Sequence, residues 1–149
     1  MTGTLRAAGP GYAGQAGAIL YRFNSATDWL PDLYSLAETI GFCGTMIDHG
    51  WVTVAERAGR VVGFLARDGE EICALYLQSG HTGQGIGRRL LNRAKAQCDA
   101  LQLRVFQANT GAQRFYAREG FVETGRSDGA RNDETLPDLQ LTWRKETAK

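Results

Sequence analysis

Leu75-Tyr76-Leu77-Gln78-Ser79-Gly80-His81-Thr82-Gly83-Gln84-Gly85-Ile86-Gly87-Arg88-Arg89-Leu90-Leu91 decides the reading of this 149-residue chain. An apolar strand runs into a polar turn, then three alternating glycines, then a helix. Glycines at 83, 85 and 87 carry no Cβ to hold the backbone away from a ligand. The helix after them starts with unpaired N–H groups and the positive end of its dipole. A strand feeding such a helix is a phosphate-binding device.

Spacing separates the phosphate loops that could be meant. A Walker A loop needs Gly, four residues, then Gly-Lys-Ser/Thr, whereas Arg88 and Arg89 follow the last glycine here. A dinucleotide fingerprint needs G-x-G-x-x-G, and the third glycine comes one residue early. A glycine-rich turn with no ligand is the remaining alternative. The segment Thr82-Gly83-Gln84-Gly85-Ile86-Gly87 resembles the pyrophosphate loop Q/R-x-x-G-x-G/A of the GCN5-related N-acetyltransferases (GNAT). It departs at Thr82, where that family often has Gln or Arg.

A second motif stands downstream: Asn109-Thr110-Gly111-Ala112-Gln113-Arg114-Phe115-Tyr116-Ala117-Arg118-Glu119-Gly120-Phe121. Asn109 is a good N-cap. Ala112, Phe115 and Tyr116 fall on one helical stripe, and Gly120 suits the left-handed residue that ends a helix. Asn109 and Tyr116 are seven apart, about two turns, so they point to the same side. This resembles the same family's N-x-x-A-x-x-F-Y-x-x-x-G-F motif. The resemblance covers residues 51–143 and is weakest before Trp51.

The resemblance implies a GNAT fold of α/β class, a mixed and mostly antiparallel sheet with splayed strands and flanking helices. It implies acetyl-CoA as cosubstrate and direct acetyl transfer to an amine. The cofactor-binding positions carried over are Leu75, Tyr76, Leu77, Thr82, Gly83, Gln84, Gly85, Ile86, Gly87, Arg88, Asn109 and Tyr116. The strand matching Leu75-Tyr76-Leu77 would splay from the one holding Leu103 to Gln107, with the cofactor in the gap. A backbone N–H near Leu77 would polarise the thioester carbonyl. The Tyr116 hydroxyl, protonated at neutral pH, would approach the sulfur and supply a proton to the leaving thiolate.

The acceptor must also lose a proton, because an alkyl amine with a pKa near ~10.4 is mostly charged at neutral pH. Glu71, six residues before Leu77, is the candidate general base, on the position where histone-type relatives carry one. A strand-start Glu that is only solvated is the alternative. The position used by some N-terminal acetyltransferases, five before the motif Asn, holds Arg104 here and cannot serve. His81 is a second base candidate.

Seventeen basic and sixteen acidic residues give a net charge of +1, against a nucleic-acid surface, which needs clustered positive charge. Arg88, Arg89, Arg93 and Lys95 form a local basic patch beside the glycines, with Arg93 and Lys95 read as a solvated helix face. Cys43, Cys73 and Cys98 are odd in number and unpaired in spacing, which points to reduced thiols and the cytoplasm. Cys73 and Cys98 read as small packed hydrophobes. No His/Cys cluster suggests a metal, no leader is recognisable, and no apolar run reaches a membrane span. One domain over residues 1–149 is expected, with a homodimer as its assembly.

Along the chain, short strands are expected at 4–8, 51–56, 60–67 and 71–77, with a hairpin turn at Arg57-Ala58-Gly59. Helices are expected at 12–23 and 33–42, the second broken by Gly44. Leu91, Ala94, Cys98 and Leu101 would give the helix after the glycines its apolar stripe. Strands at 103–107, 121–124 and 139–143 complete a β-α-β-α-β order. In the family the segment between the first two helices lines the acceptor site, which makes Asp28, Trp29 and Asp32 candidate contacts. Residues 127–138 resemble a D-G-x-x-N-x-E-x-x-P-D pattern of one bacterial branch, with Asp133, Glu134 and Asp138 able to attract a cation. The expected acceptor is therefore a small-molecule amine. A protein amine, or a non-catalytic acyl-CoA sensor, is the alternative.

Overall fold

The computed structural model describes residues 4–146. β1 (Thr4–Ala7) leads through a 3-10 turn into α1 (Ala13–Ala26) and α2 (Leu36–Asp48). The hairpin of β2 (Val52–Arg57) and β3 (Arg60–Asp68) follows, then β4 (Glu71–Leu77), α3 (Ile86–Gln97), β5 (Ala100–Phe106) and α4 (Thr110–Arg118). β6 (Val122–Ser127) and β7 (Asp138–Arg144) close the chain. The seven strands form one sheet in the order β1-β2-β3-β4-β5-β7-β6. Neighbours are antiparallel except β4 and β5.

Each face of the sheet carries its own core. Phe64, Ala66 and Ala74 pack with Ile19, Leu20, Cys43 and Met46 of α1 and α2. Leu65, Ile72, Leu101 and Leu103 pack with Leu90, Leu91 and Tyr116 of α3 and α4. Burial on both sides is why β3 reads as an apolar run rather than an alternating strand. The β2–β3 turn places Ala58 and Gly59 at φ of 52° and 77°, which matches the primed turn of a tight hairpin.

Several helix boundaries differ from the sequence reading. α2 starts at Leu36 because Ser35 and Glu38 form a capping box, each side chain bonded to the other's backbone N–H; the S-x-x-E spacing signals this. α2 also runs through Gly44 instead of breaking there. A Cβ on Gly44 would stand in ordinary contact, 3.7 Å from the Ala13 Cβ, whereas one on Gly17 would stand 2.7 Å from the Ile40 Cα. Gly17 therefore lets α1 and α2 approach closely, and Gly44 faces α1 without breaking α2. α3 ends at Gln97, and Leu101 belongs to β5.

Candidate active site

β4 and β5 pair in parallel at one position, Glu71 with Gln102. Beyond it β5 follows β7 over its whole length, Ala100 to Phe106, and β4 follows β3. The two strands therefore diverge from a closed end at Glu71 towards an open end at Leu77. The Gln78 N–H donates to the Val62 carbonyl of β3. Alternation along a strand then turns the backbone groups of Leu75 and Leu77 to the opposite edge, into the gap. A cleft of about 1400 Å³ occupies this gap and continues to the glycine loop.

The glycine loop has the backbone the sequence demanded. Gly83 and Gly85 sit at φ of 76° and 80°, in the left-handed region that L side chains rarely adopt. A Cβ on either would meet nothing within 4 Å, so open space lies before them. Gly85 caps α3 without a side chain, and no acidic residue stands in the first turn. The leading N–H groups are thus left for an anion. Gly87 is placed differently: a Cβ there would stand in ordinary contact, 3.5 Å from Phe115 Cζ and 3.7 Å from Leu77 Cδ1, so it faces α4 and β4 rather than open space. These features fit the diphosphate of acetyl-CoA.

The cleft brings together most of the expected binding positions: Leu75, Tyr76, Leu77, Thr82, Gly83, Gly85, Gly87, Arg88, Asn109 and Tyr116. Gln84 points elsewhere, accepting from Arg57 Nη1 at 2.7 Å and donating to the Gly80 carbonyl. Ile86 is a core residue. The side chains of Gln84 and Ile86 therefore do not line the cleft, and their backbone is what could face a ligand. Asn109 caps α4, its Oδ1 accepting from the Ala112 N–H at 3.1 Å, which leaves Nδ2 as a donor. Arg88 pairs with Glu119 at 3.5 Å.

Tyr116 shares the cleft lining with Tyr76 and is 7% exposed. Its ring packs edge-on against Phe115 and Phe121. Burial, reinforced by Tyr76, pushes its ionisation well above the usual tyrosine range. Tyr76 contacts Phe23 and Phe64 and is pushed up to about 12 by burial and then by the charge of Glu134. Both hydroxyls are held protonated.

Glu71 stands apart. It is exposed, sits at the closed end of the gap, and does not line the cleft. Its base role is therefore carried only by the resemblance. His81 also lies outside the cleft lining, with its Nδ1 buried and lacking a partner among the described residues. Cys73 is exposed rather than packed. Ala66 pairs with Ala74 while Arg67 pairs with Ile72, so Cys73 is the extra residue of a bulge and lines the cleft. Lys95 is not a solvated charge: it donates to the Glu119 carbonyl and lies 5.3 Å from the Trp143 ring centre.

The acceptor end is built from segments the sequence resolved only in part. Trp29 meets Phe106 edge-on at 5.6 Å, and the Tyr34 hydroxyl donates to Asp133. These contacts carry the 27–35 segment across to β5 and to the 128–137 loop. Trp29, Asp133 and Glu134 line the cleft as expected, joined by Tyr34, Glu38 and Phe42. Asp28 and Asp32 do not line it. Nor does Asp138, which is buried and accepts from Ser127 Oγ at 2.8 Å and Arg104 Nη1 at 3.3 Å. It organises the loop instead of meeting a ligand.

The sequence profile of the acetyltransferase (GNAT) domain matches residues 44–136, and the chain belongs to this family. The peptidyl-lysine N-acetyltransferase YjaB of Salmonella typhimurium is 38% identical over 93 residues, 62% of this chain and 63% of that protein. The Escherichia coli YjaB is 34% identical over the same shares. The chain thus spans 63% of the length of the curated relatives it matches. The apo-form structure of Escherichia coli YjaB superposes with a TM-score of 0.81 at 27% identity, covering 98% of this chain and all of that one. The structure of yncA from Salmonella typhimurium, solved with acetyl-CoA, shares the fold with a TM-score of 0.73 at 18% identity, covering 100% and 97%.

Proposed function

We propose that this chain transfers the acetyl group of acetyl-CoA to the side-chain amine of a lysine in a protein or peptide. The observation that carries the reading is the splay of β4 from β5, which opens onto the glycine-capped start of α3 with Tyr116 on the facing wall. Bound there, acetyl-CoA supplies an activated acetyl group. The N–H groups from Gly83 to Arg88 hold its diphosphate, and Asn109 and the Leu75 and Leu77 edge orient its arm. The backbone N–H near Leu77 stabilises negative charge on the acetyl oxygen. Tyr116 Oη, kept protonated, delivers a proton to the leaving sulfur.

The lysine acceptor is supported by the names of the YjaB relatives and by the exposed apolar side chain of Phe42 on the cleft lining. A small cationic amine is the second reading, favoured by the acidic side chains Asp133 and Glu134 that line the cleft. A cytoplasmic location and a homodimer belong to the proposal; the three free thiols support a reducing compartment. Calorimetry with acetyl-CoA, CoA and ATP tests the class: acetyl-CoA should bind and ATP should not. A thiol-release screen over lysine peptides and small amines then assigns the acceptor.

A further inference from the structure

Four carboxylates line the cleft: Glu38, Glu119, Asp133 and Glu134. Three are already engaged. Glu38 accepts from the Ser35 N–H at 3.0 Å in the capping box. Glu119 pairs with Arg88. Asp133 accepts the Tyr34 hydroxyl. The carboxylate of Glu134 has no hydrogen-bond or ion-pair partner among the described residues, although the residue is half-buried.

The loop that carries Glu134 is held by its own contacts. Asn132 clasps Leu136 twice, donating to its carbonyl at 2.8 Å and accepting from its N–H at 3.2 Å. Gly129, at φ 87°, lies so close that a Cβ would stand 2.3 Å from the Leu136 carbonyl carbon. Asp138 anchors the loop base through Ser127 and Arg104. The Asp, Gly, Asn and final Asp of the D-G-x-x-N-x-E-x-x-P-D pattern are thereby spent on the scaffold. The central Glu is the member left over. Its charge reaches Tyr34 and Tyr76, and Tyr76 in turn reaches Tyr116. Tyr34, Tyr76, Tyr116 and Glu134 all line the one cleft.

A carboxylate that lines the cleft with no partner in the fold is open to a charge-assisted hydrogen bond from a bound group. A cation entering the cleft supplies that partner. We infer that Glu134 is the specificity-determining carboxylate of the acceptor site, receiving the ammonium group of a cationic acceptor at the acetyl end of the cleft. This rests on the acetyl-transfer reading above and deepens it: cationic primary amines are selected, and neutral or anionic ones are not.

Two CoA thioethers test this by binding alone. One carries an aminopropyl group on the sulfur, the other a hydroxypropyl group of the same length. The protein should bind the aminopropyl thioether about tenfold more tightly, the scale of one charge-assisted hydrogen bond. In Glu134→Gln that preference should vanish while hydroxypropyl affinity and Tm stay constant, because the side chain holds no part of the fold. Glu134→Asp, which keeps the charge on a shorter arm, should retain part of it. Equal affinity for both thioethers in the parent, or a preference that survives in Glu134→Gln, overturns the inference. Failure of both to bind the parent is a different result: it removes the cofactor reading, and this inference with it.

Discussion

Gly85→Val separates the backbone's need for glycine from the ligand's. Gly85 sits at φ 80° and ψ 3°, immediately ahead of α3, and a Cβ there meets no heavy atom within 4 Å. The valine Cβ would meet no neighbour in the folded protein. Its effect on folding is conformational, about 1–2 kcal/mol for an L-residue in left-handed backbone. For a chain of this length that lowers Tm by roughly 3–8 °C. Binding should suffer more. The valine methyls would fill the open space before the loop and push a diphosphate off the N–H groups. A hydrogen bond to a charged group contributes about 1.5–3 kcal/mol. Losing two removes about 3–6 kcal/mol, roughly 10²- to 10⁴-fold in Kd. Gly85→Ala has the same backbone problem with less bulk, so it should melt near the valine variant yet bind more tightly than it. Circular dichroism gives the melts and titration calorimetry with acetyl-CoA gives the affinities. A folded Gly85→Val that binds acetyl-CoA like the parent refutes the cradle.

Tyr116→Phe keeps the ring that packs on Phe115 and Phe121 but loses the proton donor; turnover should fall by ~10²–10⁴-fold with acetyl-CoA affinity little changed, and unchanged turnover would return Tyr116 to packing. Glu71→Gln should leave the pH–rate profile in place, because Glu71 is exposed at the closed end of the gap; activity recovering only at higher pH would reinstate it as the base. Tyr76→Phe should flatten the alkaline fall in stability. With its ionisation raised to about 12 in the fold and near ~10 unfolded, Tyr76 contributes fully below pH ~10. Above that, the unfolded chain ionises first and the contribution drains away as pH rises towards 12. Two units correspond to at most ~2.7 kcal/mol, less for a half-buried ring. Denaturant melts from pH 9 to 11.5 with identical slopes for variant and parent would count against this.

The sequence by itself determined the local devices. Alternating glycines ahead of an apolar helix specify left-handed backbone at Gly83 and Gly85, because few other residues tolerate it. Asn109, its helical stripe and Gly120 specify α4 with its cap and stop. The Glu71 to Leu77 strand was legible because its length and turns are set by neighbours in the chain. Tertiary structure decided what depends on elements far apart. Gly44 looks like a helix breaker until α1 lies against α2, and Cys73 looks like a core residue until the β3 register makes it a bulge. The acidic residues near the acceptor end are alike in sequence. Only the fold separates Asp138, buried to anchor a loop, and Asp28, turned to solvent, from Glu134, facing the cleft without a partner. Charge is a property of the residue, but whether it meets water, an arginine or an acceptor is set by packing.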